Sequence, residues 1–392
     1  SLISMLFLSL FCTMAESVRV QAARFQAAAA FDMGLFSVFG EYDRVLLEEY
    51  DLWFLDGSSE EQKIREVLET KLEKYIQPNI NPRYNLAAGR SWDVFPTELD
   101  RCTVDKYALA TDHGGQVFYS QAVENQKELF VGEAASALKK NIKQMEEGHQ
   151  KGEEYQNEEQ KADEEYQRAQ AAQMEEKKRQ ESEKENAEKQ EESDTDIKET
   201  EAVQAKVENP LDQIKKIKSM GILGLVLKDG TVVSDKTIER KNLPSERNLQ
   251  KGSLLVNEIS ADPVSEAIFL NYLQKHFQCA VDEGGKHQKG SKEHSLSYEL
   301  EYIIGGQKSD RENLKKTVNR ILLIREGMNY ATLAKSAKMR GEAMALAAAI
   351  TGAAALPEFA GALQKLLMLA WAYGESLLDV RTLLAKGKVP ML

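Results

Sequence analysis

Residues 1–14, SLISMLFLSLFCTM, form an almost unbroken apolar run, and apolar surface on that scale must be withdrawn from water. The run continues through Glu16, Arg19 and Arg24 into the alanines of 27–30 with no Pro, and the first Gly is Gly34. The stretch up to Tyr42 therefore reads as one continuous helix, its first part in a membrane and its second part carrying the folded remainder. A spanning helix needs about 20 apolar residues. A chain opening on Ser1 rather than Met implies upstream residues, and a few more apolar ones complete the span. The rival readings are the core of a secretory signal peptide and a buried soluble helix. No signal-peptidase site intervenes before the helical pattern resumes at Glu16, which favours an anchor.

With 392 residues, the chain has room for two ordinary domains, or for one domain with a large insertion. Charged residues make up 29% of it and the net charge is -12, so nucleic acid is not an expected partner: phosphate binding without sequence preference needs a surplus of Lys and Arg. Cys12, Cys102 and Cys279 have no metal-ligand spacing. Two buried thiols at Cys102 and Cys279 are favoured over a disulfide between them.

Beyond the anchor (residues 1–42), the patterning predicts an α+β body in two parts, 43–145 and 210–392, separated by a charged tract, 146–209. In the first part, residues 50–56 (YDLWFLD) read as strand-like. A helix runs over about 60–76, with Ser59 and Gln62 as its capping box and Pro78 and Pro82 ending it. Residues 101–111 alternate as a strand does. Asp112-His113-Gly114-Gly115 is a turn, followed by a helix over 116–130.

The tract over 146–207 is dominated by Glu, Lys, Gln and Ala and lacks Gly after Gly152. Tyr155, Tyr166 and Met174 do not mark a sustained heptad seam, so the tract is expected to be a solvated helix or disordered, a spacer or insertion. Order returns at Leu211 with a short helix. Residues 222–227 are a buried strand or a helical turn, and Asp229-Gly230 has hairpin chemistry with Val232 and Val233. A helix starts at Asp262-Pro263. Leu296, Tyr298, Leu300 and Tyr302 alternate strictly with Ser297, Glu299 and Glu301, the clearest half-buried strand in the chain. Ser309 and Glu312 form a second capping box. The chain finishes in a helical bundle broken at Pro357, where Gly341, Gly352 and Gly361 are expected to let backbones approach. A buried helical pair is favoured there over a second membrane pass, since Glu358, Lys365 and Glu375 are costly in lipid. The fold class expected is thus α+β: a long N-terminal membrane helix, a small antiparallel sheet, a C-terminal helical bundle and a charged helical or disordered insertion.

No constellation for catalysis, cofactor or metal emerges, and none is predicted. The five histidines lie in unrelated contexts; His287 and His294 share a glycine-rich loop, which a mobile loop explains better than a metal site. His113-Gly114-Gly115 has no nucleophile elbow to make it an oxyanion loop. Gly305-Gly306 lacks the Lys of a phosphate loop and reads as a strand-to-helix turn.

Two blocks carry a resemblance: SLFCTMAESVRVQAARFQAAAAFDMGLFSVFGEYDRVLLEEYDLWFLDG at 9–57, and HSLSYELEYIIGGQKSDRENLKKTVNRILLIREGMNYATL at 294–333 with LLMLAWAYGESLLDVRTLLAKGKVPML at 366–392. They resemble the bacterial domain-of-unknown-function family 5702, which has no established activity. The N-terminal segment is similar in layout to the pseudopilin TadE of tight-adherence pilus systems. The resemblance implies a non-enzymatic, membrane-anchored extracytoplasmic protein, a structural or assembly component of a pilus-like or secretion apparatus. Its partners would be the membrane and other pilin-like subunits or assembly proteins. Glu16 is the candidate assembly residue of the anchor helix: it either pairs with a positive terminus of a neighbouring anchor or marks the membrane boundary. The alternative is an extracytoplasmic sensor that takes a small ligand or peptide near residues 296–302 and the C-terminal helices.

Overall fold

A computed structural model describes residues 2–57, 64–80, 97–127, 133–188, 209–228, 230–239, 241, 243, 251–254, 262–281, 294–353 and 359–390. Among these, the helices are α1 (Leu2–Phe39), α2 (Arg44–Tyr50), α3 (Ile64–Ile80), α4 (Asp112–Lys127), α5 (Glu133–Glu188), α6 (Pro210–Ser219), α7 (Ile222–Val226), α8 (Pro263–His276), α9 (Glu299–Gly305), α10 (Asp310–Lys335), α11 (Ala337–Ala353) and α12 (Ala360–Leu384). The chain divides into two compact units, Ser1–Val131 with Pro244–Tyr272, and Gly132–Leu243 with Leu273–Leu392. The expected α+β class is wrong. The described residues contain no strand, and the β pairing among them is two isolated antiparallel bridges, Tyr42 to Leu55 and Thr237 to Ser309.

In the first unit, the C-terminal half of α1 lies on α3. Ala30, Gly34 and Val38 are buried against Leu72, Ile76 and Ile80, with Cys102 in the same core. A β-carbon on Gly34 would sit 2.5 Å from Ile76 Cγ1, so the glycine is what lets the two helices meet. Instead of stopping before Pro78, α3 runs on to Ile80, whose carbonyl accepts from Gln26 and Thr97 (2.7 and 3.1 Å). The Ser59 and Gln62 capping box lies outside the described residues.

The two segments expected as strands in this unit form no ladder: Tyr50 still belongs to α2, Asp51 is left-handed with φ of 53°, and the backbone groups that follow, like those of the second segment, pair with side chains. Trp53 N–H donates to Gln121 Oε1 and Gln121 Nε2 donates back to the Trp53 carbonyl, both at 3.0 Å; Asn125 donates to the Asp51 carbonyl. Along the second segment, Val104 N–H donates to Glu69 (2.9 Å) and Cys102 N–H to Glu73 (3.4 Å). The Val104 amide, ahead of Arg65, holds the Glu69 carboxyl below its ordinary range. Helices α3 and α4 thus supply the hydrogen bonds that a neighbouring strand would have given. The Asp112 to Gly115 turn is as expected, with φ of 51°, 69° and 91° at His113, Gly114 and Gly115.

In the second unit, α10 is the central helix, flanked by α5 and α12 and met by α7, α9 and α11. Tyr155, Ala162 and Tyr166 of α5 are buried in one core with Leu314, Val318 and Leu322 of α10 and Leu366, Leu369 and Tyr373 of α12. The charged tract is therefore helical to Glu188, and one face of its first half packs into the core while the rest is solvated. Helices α5 and α10 meet at glycines. A β-carbon on Gly152 would lie 3.0 Å from the Leu323 carbonyl oxygen, and one on Gly327 would overlap the backbone of Lys151 and Gly152. Gly341, Gly352 and Gly361, expected to serve as close-approach points, have nothing within 4 Å of such a carbon. Helix α12 buries Leu363, Leu366, Leu369, Ala372 and Val380 inside the unit, in keeping with a buried helical pair.

The strand expected over 296–302 is instead a loop entering α9. Glu299 and Glu301, which alternation would send to solvent, accept from the Gln278 and Ala280 amides, each at 2.9 Å, and Glu301 is buried. The residues 222–227 resolve as the helical turn α7. Asp229 of the expected hairpin lies outside the described residues; Val232 is 90% exposed and joins no ladder. The second capping box is present in part: Ser309 Oγ accepts from Glu312 N–H at 3.3 Å.

Candidate functional site

Helix α1 is 38 residues long, about 57 Å at the usual rise. Its large apolar side chains from Leu2 to Met14 are 56% exposed or more, and its buried residues are Ala30, Gly34 and Val38. Among the described residues it is the one helix long and apolar enough to cross a membrane. An apolar face of that extent, with no protein against it, marks a surface built for lipid or for another chain. Glu16 lies on this exposed part, 3.7 Å from Arg19 one turn on, and both side chains are exposed.

A different kind of site lies inside the second unit. Glu326 of α10 is 3% exposed. Its Oε1 has no hydrogen-bond partner and stands 3.8 Å from Lys218 Nζ of α6. That ammonium also lies 3.7 Å from Glu159 of α5 and 5.0 Å from the centre of the Tyr373 ring of α12. Burial pushes the Glu326 carboxyl up to about 7, with Lys218 pulling it back and Glu159 adding to the rise. Burial likewise pushes Tyr373 up to about 12 and Tyr155 higher still; the Tyr155 hydroxyl donates to the Leu369 carbonyl at 3.3 Å. Glu326 forms the floor of a groove of about 520 Å³ that Lys315, Lys316, Asn319 and Arg320 line from the same helix.

Two further features flank this centre. Arg325 donates to Asp379 (2.8 Å) and to the Pro390 carbonyl (2.7 Å), while Asn329 donates to Asp379 and Ser376 (2.9 Å each), which ties the C-terminal tail to α10 and α12. A smaller cavity of about 220 Å³ lies among α7, Tyr298 and the end of α12, with Lys228 and Arg381 on its walls.

The histidines do not converge. His113 is in the exposed turn, His149 faces Glu153 at 3.6 Å, His294 lies 2.7 Å from Glu299, and His287 is outside the described residues. No group of three or more metal-ligating side chains occurs among the described residues. Cys102 is a buried thiol and no disulfide joins it to Cys279. The centre around Glu326 was missed in sequence because Glu159 and Glu326 look like surface acids. The available signal was a run of small, aromatic and acidic residues, Gly148, Gly152, Tyr155, Glu159, Ala162 and Tyr166, at alternating steps of four and three.

A family model described as a family of unknown function, DUF5702, matches residues 200–392. That part of the chain belongs to this family. The match takes in α6 to α12, and therefore Lys218, Glu326, Tyr373 and the Arg325 to Asp379 pair, while α1 and α5 precede it. Comparisons with curated proteins and with solved structures give no match. The chain thus joins a candidate membrane helix to a family domain of unknown function.

Proposed function

We propose that this is a non-enzymatic, membrane-anchored extracytoplasmic protein, a structural or assembly component of a pilus-like or secretion apparatus. The observation that carries the reading is α1: one unbroken helix, apolar and exposed over its first half and docked on α3 over its second. Such a helix couples the bilayer to the folded unit with no hinge residue between them. Within lipid, apolar packing alone gives helices little reason to associate, and polar residues act as glue. Glu16, unshielded by the body, supplies one such group for a neighbouring anchor, in competition with its own Arg19.

Membrane fractionation tests the anchor. The full chain should stay with membranes through high salt and alkaline carbonate and leave only in detergent; release by salt defeats the reading. Cys12 lies on the exposed part of the same helix, so oxidative crosslinking in membranes tests lateral packing. A Cys12-dependent dimer that weakens in Glu16→Leu supports assembly through the anchor, and a strictly monomeric anchor argues against it.

The second reading, an extracytoplasmic ligand- or peptide-binding module, draws on the 220 Å³ cavity beside Tyr298 and α12. It predicts a ligand-dependent rise in melting temperature that Arg381→Glu abolishes, whereas the assembly reading predicts none.

A further inference from the structure

We propose that the groove between α5, α6 and α10 binds a small hydroxylated phosphate ester, phosphate at the rim and hydroxyl at Glu326. The proposal goes beyond the anchoring role and does not depend on it. The volume of about 520 Å³ falls within the range of small-molecule sites, about 300–1,000 Å³. Two adjacent ridges of α10, carrying Lys315, Asn319, Leu322 and Glu326 on one and Lys316, Arg320 and Leu323 on the other, form one long wall.

The rim is positive in a chain whose net charge is -12. Lys315, Lys316 and Arg320 face the groove with no carboxylate paired to them among the described residues. Lys316 and Arg320 are held in place by single bonds to the last carbonyls of α9, Lys316 Nζ to Gly305 (2.8 Å) and Arg320 Nη1 to Ile304 (2.9 Å). Both keep further N–H groups for a ligand. Two fixed cations one turn apart, Lys316 and Arg320, with Lys315 beside them, suit the three terminal oxygens of a phosphate monoester better than the two coplanar oxygens of a carboxylate.

The floor selects the other end. Glu326 Oε1 is buried without a hydrogen bond, a condition that is costly until a partner arrives. An ammonium partner is disfavoured because Lys218 Nζ already stands 3.8 Å away. A hydroxyl suits both charge states of the carboxyl, accepting from the acid and donating to the carboxylate. Ile222, Leu322 and Leu323 give the middle of the groove an apolar wall for a short carbon skeleton.

The test uses the full chain in detergent micelles, with glycerol 3-phosphate, inorganic phosphate and glycerol as probes, read by calorimetry or ligand-observed NMR. The expected order is glycerol 3-phosphate, then phosphate, then glycerol. Arg320→Ala and Lys315→Ala should each weaken glycerol 3-phosphate about tenfold, the loss of one charge-assisted contact. Glu326→Gln should keep the preference for the ester over phosphate, and Glu326→Leu should erase it. Equal affinity for the ester and for phosphate, affinity untouched by the Arg320 and Lys315 variants, or no saturable binding by a chain whose helical content is intact would each overturn the proposal. Nanodiscs containing phosphatidylinositol 4-phosphate, whose headgroup carries a phosphate monoester and free hydroxyls, distinguish the source: competition with glycerol 3-phosphate assigns the site to a lipid headgroup, and its absence assigns it to a soluble ester.

Discussion

Helices α1 and α5 invert the usual expectation. Among the described residues, the first is the one helix long and apolar enough to cross a membrane and has almost nothing packed on its leading half, while the second is dominated by charged and polar residues and puts Tyr155, Ala162 and Tyr166 into a core. Overall hydropathy therefore says which surroundings the outside of a helix tolerates, lipid for α1 and water for α5. Burial is decided by a narrow seam. On α5 that seam is two glycines, two tyrosines and an alanine, and the glycines bring the backbone so close to α10 that large aliphatic residues are not required.

The largest effect is expected on α1: Leu6→Lys with Leu10→Lys places two charges where each costs about 3 kcal/mol in lipid. The protein should then appear in the soluble fraction with the melting curve of its helical unit unchanged; if it remains in membranes, the exposed face of α1 is not the anchor. Next comes the seam. Gly327→Leu must force α5 away from α10 and should cost at least about 3 kcal/mol, and Tyr155→Ala a similar amount through its cavity, both read by urea denaturation. A near-neutral result at either position would return α5 to the solvated class. Breaking the buried clasp beside the seam, by Arg325→Met, leaves Asp379 with the Asn329 hydrogen bond but without its cation and should cost about 3–5 kcal/mol.

A pH series gives a comparable but graded effect. Glu326 faces Glu159 and Tyr155 from α5, Lys218 from α6 and Tyr373 from α12, and its carboxyl is raised from 4.5 to about 7. Between those values the folded chain holds a proton that the unfolded chain releases, so this group makes stability fall as pH rises from 4.5 to 7, levelling off above. Glu326→Gln should flatten that decline and stabilise the protein at pH 8 by on the order of 3 kcal/mol. An unchanged slope would show that the carboxyl is not buried as described. The smallest effect belongs to the far end of α5, where Arg179 and Glu183 are both exposed. Arg179→Ala should change stability by less than about 0.5 kcal/mol.

Alternation misled in an instructive way. Residues 52–56 and 101–109 are neither helix nor strand, and Gln121, Asn125, Glu69 and Glu73 take backbone bonds that a sheet would have used there or beside them. A period of two does not report which group will take the backbone bonds. At 296–302 the expected conformation failed as well, because Glu299 and Glu301 cap the amides of 278 and 280 from a distance in sequence that no local pattern encodes. Glu16 was legible because a lone acid behind an apolar run stands out. Glu326 was not, since nothing near it in sequence distinguishes it from the solvated acids of α5.

Legible in the sequence were the continuous apolar helix at the N-terminus, the turn at Asp112 to Gly115, the capped start of α10 and the family likeness of the blocks at 294–333 and 366–392, which the family match covers while leaving 9–57 outside it. These are local or near-local properties, set by hydropathy, backbone freedom and capping within a few residues. Only the packed structure shows that the segments expected as strands form no sheet, that one face of the charged tract is core, and that Glu326, Lys218 and Glu159 meet. Each of those outcomes depends on which helix faces which, and that follows from close approach at Gly148, Gly152 and Gly327, positions where the deciding feature is the absence of a side chain.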